Sequence, residues 1–223
     1  MEFMFDTANM ALLKKYAEIY PYTGVTSNPS IIKKEGKIDF FAHFREVRAL
    51  IGKDRQLHLQ AVGADSATMI AEAKRLREEI GDVIVKIPVT SEGIKAISAL
   101  KKERYPVTAT AIYNELQGYL AIAAGADYLA PYYNRIEAMG GNPVAVIEAL
   151  KNVIVRQNQT SVIIAASFHE PVQMIRAIAA GADCVTMSPV MLDKIDSDVM
   201  KTTMENFCKD WAESQGCKNL LEL

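Results

Sequence analysis

The sequence has 223 residues, half of them hydrophobic, and a formal net charge of −2 at pH 7. A near-neutral charge gives no reason to expect a nucleic-acid or membrane-surface partner, and no apolar stretch approaches the length of a membrane span. The first residues carry acids where a signal peptide would carry bases, and three scattered cysteines are too few for a disulfide framework or a zinc-ligand pattern. We therefore expect a soluble, cytoplasmic protein.

The first half of the chain alternates apolar strands with amphipathic helices. Strands are predicted at residues 3–5, from Gly24 onward, at 57–62 and at 83–89, and helices at about 10–20, 40–51 and 66–80. The run from Val83 to Val89 is almost continuously apolar and β-branched, as in strands that are buried on both faces of a parallel sheet.

The second half repeats this alternation. Helices are predicted at 91–102, about 114–124, 142–156 and 171–180, and strands at 107–112, 128–132, 162–167 and 184–187. The tetrapeptide Ala-Gly-Ala-Asp occurs at 124–127 and at 180–183, each time between a helix and a strand. Eight strand and helix units without a linker predict one α/β domain over residues 1–223, a single (β/α)8 TIM barrel. A doubly wound open sheet is the alternative, although no GxGxxG or GxxxxGK[ST] motif is present.

One more helix is predicted beyond the eighth unit, at about residues 198–212, with Asp198 as its cap. Its apolar stripe consists of Met200, Met204, Phe207 and Trp211. An extra helix has no obvious place in the outer ring of its own barrel, and exposed apolar patches mark interfaces. We expect this helix to pack on a neighbouring subunit. The alternative is that it lies across an end of its own barrel.

Lys86 lies in the middle of the apolar run 83–89. An ammonium in apolar surroundings either finds a partner or loses its proton, and the neutral amine is a nucleophile towards carbonyl groups. Lys86 is therefore a candidate Schiff-base lysine. The alternative is a lysine near a strand end whose ammonium reaches solvent.

Polar residues recur where the predicted strands end. In a (β/α)8 barrel the reacting groups lie at the carboxyl ends of the strands, and the polar residues found there are Asp6, Asn28, Gln60, Lys86, Thr110, Tyr132 with Asn134 and Arg135, and Ser167. Each residue alone can be structural, since aspartate, asparagine and serine cap helices and threonine is at home in a strand. Together they predict a ring of donors, acceptors and one amine around the barrel axis.

Several motifs follow one another along nearly the whole chain. They are Asp-Thr-Ala at 6–8, Gly-Val-Thr-Ser-Asn-Pro-Ser at 24–30, Val-Lys-Ile-Pro-Val-Thr at 85–90 with Gly93, Thr-Ala-Ile-Tyr at 110–113, the segment 125–135, and Ala-Ala-Ser-Phe at 165–168. In this order and spacing they resemble the transaldolase family of class I, Schiff-base aldolases, in particular its short-chain fructose-6-phosphate aldolase type. The resemblance implies a Schiff base on Lys86, a surrounding set made of Asp6, Asn28, Gln60, Thr110 and Tyr132, and phosphate binding by Arg135 and Ser167.

Two positions separate the branches of this family. Members that transfer resemble one another in having glutamate at the position of Gln60 and phenylalanine at that of Tyr132. A neutral amide cannot take a proton whereas a phenol can give and accept one, so acid/base work would fall to Tyr132, through a water held by Gln60 and Thr110. This favours reversible cleavage of fructose 6-phosphate to dihydroxyacetone and glyceraldehyde 3-phosphate. The resemblance also implies that no metal or organic cofactor is needed, and a homo-oligomer of five or ten subunits.

Three other functions are compatible with the sequence. The first is a transaldolase that transfers a dihydroxyacetone unit between sugar phosphates in the pentose phosphate pathway. The second is a pyridoxal phosphate protein, since that cofactor also forms an imine with a barrel lysine. The third is a binding barrel without chemistry, in which Lys86 and Arg135 only contact phosphate.

Overall fold

The computed structural model describes residues 1–195 and 197–223. It contains two compact units, Met1–Pro189 and Val190–Leu223. The expectation that residues 1–223 form a single domain stays a prediction. The strands all lie in the first unit: β1 Glu2–Asp6, β2 Gly24–Thr26, β3 Gln56–Gln60, β4 Ile84–Pro88, β5 Val107–Ile112, β6 Tyr128–Pro131, β7 Val162–Ala165 and β8 Cys184–Met187.

Helices follow the strands in the predicted alternation. They are α1 Met10–Ala17, α2 Pro29–Ile32, α3 Phe40–Ile51, α4 Ser66–Ile80, α5 Ser91–Lys102, α6 Glu115–Ala123, α7 Tyr133–Ala138, α8 Pro143–Arg156 and α9 Pro171–Ala179. A 3-10 segment, Lys33–Glu35, follows α2. The sequence did not predict α7, a helix of only six residues directly after Tyr132.

The sheet closes on itself. Each strand pairs in parallel with its neighbour in sequence, and β1 also pairs with β8, where Met4 lies opposite Thr186. The predicted (β/α)8 barrel is therefore confirmed and the open-sheet alternative is wrong. A closed sheet has no free edge, so the strand N–H and C=O groups find their partners within it.

The barrel wall is buried on both faces. Leu57, Ile87 and Leu129 are fully buried in the strands, and the helices outside bury apolar stripes of their own, such as Met69, Ala73, Leu76 and Ile80 of α4. Inside the barrel Met4, Ile164 and Cys184 form an apolar cluster. Each large aliphatic side chain removed from water contributes roughly 1.5–3 kcal/mol. Burial on two faces explains why these strands are continuous apolar runs in the sequence.

Helix α5 lies unusually close to the strand that carries Lys86. A Cβ atom at Gly93 would stand 1.8 Å from the carbonyl oxygen of Pro88, so any larger residue there would push α5 off β4. The Thr90 side chain caps the helix by accepting from the Gly93 N–H. The glycine of this motif therefore allows the close approach of helix and strand.

The repeated tetrapeptide makes the same contacts twice. Asp127 accepts hydrogen bonds from the ammonium of Lys101 on α5 and from the N–H of Val107. Asp183 does the same with Lys151 on α8 and the N–H of Ile163. In both copies one carboxylate joins the start of the neighbouring strand to the helix that precedes that strand, at the end of the barrel opposite the predicted site.

Beyond β8, a 3-10 segment spans Pro189–Lys194 and a last helix, α10, spans Asp198–Gln215. Helix α10 ends three residues later than predicted, before Gly216 in the left-handed conformation. The predicted cap Asp198 is wrong, because the Ser197 hydroxyl accepts from the Met200 N–H and caps the helix. None of the described residues of α10 is buried. Within residues 1–195 and 197–223, every helix is too short or too polar to cross a membrane.

Candidate active site

The predicted polar residues lie at the carboxyl end of the barrel. Asp6, Gln60 and Thr110 lie in β1, β3 and β5, and Lys86 in β4. Asn28 follows β2, Tyr132 follows β6, Arg135 lies in α7 and Ser167 follows β7. The sheet register pairs Lys86 with Gln60 on one side and Pro88 with Thr110 on the other. The parallel pairing thus gathers residues that are far apart in sequence around one mouth.

Lys86 is a buried amine. Lys86 is only 3% exposed, so the alternative in which its ammonium reaches solvent is wrong. Its Nζ donates to the backbone carbonyl oxygen of Ser27 at 3.1 Å. This acceptor is neutral and orients the amine without adding a charge of its own.

Asp6 lies at the end of a chain of hydroxyls and interacts with the charge of Lys86. Its Oδ1 accepts from the Thr26 hydroxyl at 2.6 Å, and that hydroxyl lies 2.7 Å from the hydroxyl of Thr186. Burial raises the pKa of Asp6 above the ordinary carboxyl value, and the charge of Lys86, the Thr26 hydrogen bond and the charge of Lys34 oppose that rise. Asp6 does not cap α1, because the Asn9 side chain does so.

Tyr132 and Thr110 form a pair across the mouth. The Thr110 hydroxyl donates to the phenolic oxygen of Tyr132 at 3.1 Å, and the Tyr113 ring packs edge-on against that of Tyr132. The strand carrying Thr110 has a bulge here: the register with β6 shifts between Thr110 and Ile112, and Ala111 between them has φ +58°. Bulges re-aim side chains next to active sites. This one is not recognisable in the sequence, because alanine rarely adopts a positive φ.

Gln60 and Asn28 complete the ring in different ways. The Oε1 atom of Gln60 is buried and accepts no hydrogen bond from any described residue. Buried acceptors are rarely left without a donor, which makes this oxygen a ready contact for a bound molecule. Asn28 has the structural role that its residue type allows, because its Oδ1 caps α2 by accepting from the N–H groups of Ser30 and Ile31.

Arg135 and Ser167 lie together on one side of the mouth. The start of α7 is attached to the end of β7, since the N–H of Tyr133 donates to Ala166 and the N–H of Asn134 donates to Ser167. Arg135 follows directly and is exposed. Ser167 has φ +64°, a conformation that costs energy for a residue other than glycine. A guanidinium at the rim beside a strained serine is an arrangement suited to an anion.

Three interior residues escaped the sequence prediction. Thr26 and Thr186 connect to Asp6 as described, and both are only 2% exposed. His58 is fully buried between the Thr108 hydroxyl at Nδ1 and the Gln56 amide oxygen at Nε2, each 2.8 Å away. Burial, with the charges of Lys86 and Arg48, lowers the pKa of His58 to about 3. For His58 the available signal was the alternation of polar and apolar residues in β3, Gln-Leu-His-Leu-Gln, which places His58 on the same inner face of the barrel as Gln60.

A closed parallel barrel with a buried lysine, a carboxyl group and a phenol at its carboxyl end has the layout of a TIM-barrel enzyme that acts on carbonyl compounds. The family model "Transaldolase/Fructose-6-phosphate aldolase" matches residues 3–219. A protein of Streptococcus pneumoniae (strain ATCC 700669 / Spain 23F-1) named "Probable fructose-6-phosphate aldolase" is 45% identical over 222 residues, which cover 99% of this chain and all of that protein. The chain belongs to the transaldolase/fructose-6-phosphate aldolase family.

Proposed function

We propose that the protein is a class I, Schiff-base aldolase that cleaves and forms fructose 6-phosphate from dihydroxyacetone and glyceraldehyde 3-phosphate. The observation that carries the proposal is the buried amine of Lys86, held by a neutral carbonyl within a mouth that contains Asp6, Gln60 and the Thr110–Tyr132 pair. The name of the Streptococcus pneumoniae relative supports the same activity.

Lys86 reacts as the nucleophile in its neutral form. Its Nζ adds to the C2 carbonyl of the ketose phosphate, and loss of water gives an iminium ion. The iminium accepts the electron pair of the C3–C4 bond once the C4 hydroxyl loses its proton. Glyceraldehyde 3-phosphate then leaves, and the three-carbon unit stays on Lys86 as an enamine.

Tyr132 and Asp6 are the proposed proton carriers. The phenolic oxygen of Tyr132 accepts from Thr110, so its own hydrogen is free to point at a substrate or a water. We assign the C4 proton to Tyr132: the phenol first passes its hydrogen towards the Schiff base as the iminium forms, the phenolate then takes the C4 proton, and the phenol gives that proton to the enamine carbon. The free acceptor of Gln60 would hold that water together with Thr110. Protonation of the enamine carbon and addition of water to the iminium release dihydroxyacetone and restore Lys86. Asp6, which interacts with the charge of Lys86, serves the proton transfers at the Schiff base.

Arg135 and Ser167 are proposed to bind the substrate phosphate. The guanidinium offers a planar fork of donors, which matches phosphate oxygens in two-point contact. Ser167 adds a hydroxyl from the end of β7, and Asn28 completes the substrate contacts through the part of its amide that does not cap α2. Each of these groups binds rather than reacts, so their loss is expected to weaken binding first.

Borohydride trapping tests the proposal directly. Reduction in the presence of dihydroxyacetone fixes the iminium as a secondary amine, and mass spectrometry should find the added three-carbon unit on Lys86. A protein that gains no mass, or gains it on another lysine, contradicts the proposal. The absorbance spectrum of the purified protein checks the pyridoxal phosphate alternative in the same sample, since that cofactor makes a protein yellow.

Transaldolase activity is the second candidate, because the family covers both reactions. In that reaction a sugar-phosphate aldehyde such as erythrose 4-phosphate, rather than a proton, meets the enamine. Gln60 and Tyr132 favour cleavage on the family analogy given above. Comparing the rate of fructose 6-phosphate cleavage with and without erythrose 4-phosphate separates the two candidates.

We propose further that the protein works in the cytoplasm as a homo-oligomer, a pentamer or decamer. Support for assembly comes from α10, where Met200, Met204 and Phe207 are each more than half exposed. Three free cysteines, Cys184, Cys208 and Cys217, suit a reducing compartment. Light scattering of the purified protein measures the number of subunits.

A further inference from the structure

A chain of two hydroxyls crosses the barrel interior and ends on Asp6. Thr26 lies in β2 and Thr186 in β8, the two strands that flank β1. Their hydroxyl oxygens are 2.7 Å apart, and the Thr26 hydroxyl is 2.6 Å from Asp6 Oδ1. Both threonines are 2% exposed, so these hydroxyls are shielded from bulk water and depend on one another.

The count of hydrogens fixes the direction of this chain when Asp6 is a carboxylate. A carboxylate only accepts, and each hydroxyl has a single hydrogen to donate. The hydrogen of Thr26 therefore goes to Asp6, and the short contact between the threonines must be made by the hydrogen of Thr186. The donation runs from Thr186 to Thr26 to Asp6.

The same chain can run in the opposite direction when Asp6 is protonated on Oδ1. The acid then donates to Thr26, and Thr26 needs an acceptor for its own hydrogen. Thr186 supplies that acceptor. The hydrogen of Thr186 then has no acceptor among the described residues, which is costly for a buried donor. The chain therefore favours the carboxylate form of Asp6, in which the donation from Thr186 polarises Thr26 and strengthens the Thr26 hydrogen bond to Asp6.

We infer that Thr186 is a positioning residue for the reaction, which acts through Thr26 to keep Asp6 a carboxylate that can accept a proton. The inference rests on the proposed function, in which Asp6 carries protons at the Schiff base. Burial raises the pKa of Asp6, and the Thr26 hydrogen bond lowers it against that rise, which is the direction that this inference requires. The charged groups that act on Asp6 are Lys86 from β4 and Lys34 from the 3-10 segment after α2, and Thr186 adds a neutral contact to them.

Substitutions that separate the hydroxyl from the shape of the side chain test this inference. Thr186→Val keeps the volume and removes the hydroxyl, Thr186→Ala removes the hydroxyl without steric risk, and Thr186→Ser keeps it. We expect kcat for fructose 6-phosphate cleavage to fall about tenfold in the valine and alanine variants, with KM within twofold of the wild type. The serine variant should keep kcat within threefold. Thermal unfolding of all variants shows which of them are folded. If the valine variant does not fold, the comparison of alanine with serine decides the test.

A partial reaction locates the affected step. Exchange of the carbon-bound hydrogens of dihydroxyacetone for solvent deuterium requires Schiff-base formation and enamine protonation but no bond cleavage between carbons. We expect exchange to slow about tenfold in the valine and alanine variants and to recover with serine.

Three outcomes overturn the inference. It fails if the variants without a hydroxyl match the wild type in both assays, if serine is as slow as alanine, or if the whole effect lies in KM. Borohydride trapping of the wild type in the same series distinguishes failure of this inference from failure of the proposed function. A wild type that traps dihydroxyacetone on Lys86 supports the proposed function however Thr186 behaves, whereas one that does not overturns the function and this inference together.

Discussion

The hydroxyl of Thr110 donates a hydrogen bond to the phenolic oxygen of Tyr132 at 3.1 Å. Thr110 lies in β5 just before the bulge at Ala111, and Tyr132 follows β6. The bond leaves the phenol with one hydrogen that is not committed to Thr110. In the proposed mechanism the phenol gives up this hydrogen as the iminium forms and then takes the proton of the C4 hydroxyl.

Replacing Tyr132 by phenylalanine removes that proton carrier. General acid/base groups contribute about 10²–10⁴ in rate, so we expect kcat for fructose 6-phosphate cleavage to fall at least a hundredfold while KM changes little. Steady-state kinetics in both directions measure this. Tyr113→Phe is the matched control, because Tyr113 packs edge-on against Tyr132 with ring centroids 5.9 Å apart. A Tyr132→Phe enzyme with the wild-type cleavage rate would remove the phenol from the mechanism.

Replacing Lys86 by methionine should abolish both turnover and borohydride trapping. Methionine is of similar length and has no amine to desolvate, so we expect the fold to be kept and the free energy of unfolding to be unchanged or to rise by about 1 kcal/mol. Trapping, cleavage assays and thermal unfolding follow the three effects. Lys95→Met, at an exposed position of α5, is the control and should keep full activity. Retained turnover in Lys86→Met would end the Schiff-base mechanism.

Replacing Arg135 by alanine tests the phosphate site. An arginine that contacts only phosphate matters only when phosphate is present, so we expect KM for fructose 6-phosphate to rise about tenfold or more, as for a lost charge-assisted contact. The exchange of dihydroxyacetone hydrogens should stay within twofold. Arg156→Ala, at the end of α8, controls for the loss of one positive charge. Equal losses with phosphorylated and unphosphorylated substrates would show a structural role for Arg135.

His58 should make stability depend on pH below neutrality. The pKa of His58 is about 3 in the folded protein against an ordinary value of 6.5. Between these values the unfolded chain binds a proton that the folded chain does not, so stability is lost as pH falls from about 6.5 towards 3. We expect urea unfolding to show a steeper loss from pH 6.5 to 4.5 in the wild type than in His58→Phe, with a difference of the order of a few kcal/mol. Parallel pH profiles would mean that His58 titrates normally.

The regular elements were readable from the sequence because their signals are local. Helices α4 and α5 and strands β5 and β8 have the predicted bounds, and the helices carry apolar stripes and caps that do not depend on the rest of the fold. Helix α7 lacks such signals. Its N-cap residue Tyr132 makes no side-chain capping bond. Its first N–H groups instead donate to the carbonyl groups of Ala166 and Ser167, directly after β7.

The details of the site depend on barrel closure and could not be read from the sequence. Thr26 and Thr186 are 160 positions apart and meet only because β1 pairs with both β2 and β8. Ala111 and Ser167 adopt positive φ without being glycine or asparagine. The polar residues at the carboxyl ends of the strands were predictable from their place in the sequence, whereas the partner of each side chain was not.

Charging the apolar stripe of α10 should break the assembly. Phe207 is 61% exposed and Met204 is 52% exposed, and burial of such side chains between subunits is a main driving force of association. We expect Phe207→Asp and Met204→Asp each to reduce the mass in light scattering, because an unpaired carboxylate at an interface core is strongly unfavourable. Thr202→Asp is the control, since Thr202 is exposed on the same helix and lies on the face opposite the apolar stripe. Circular dichroism checks that α10 and the barrel stay folded in each variant. If both stripe variants keep the mass of the wild type, α10 does not hold the subunits together, and the alternative in which it lies across its own barrel is favoured instead.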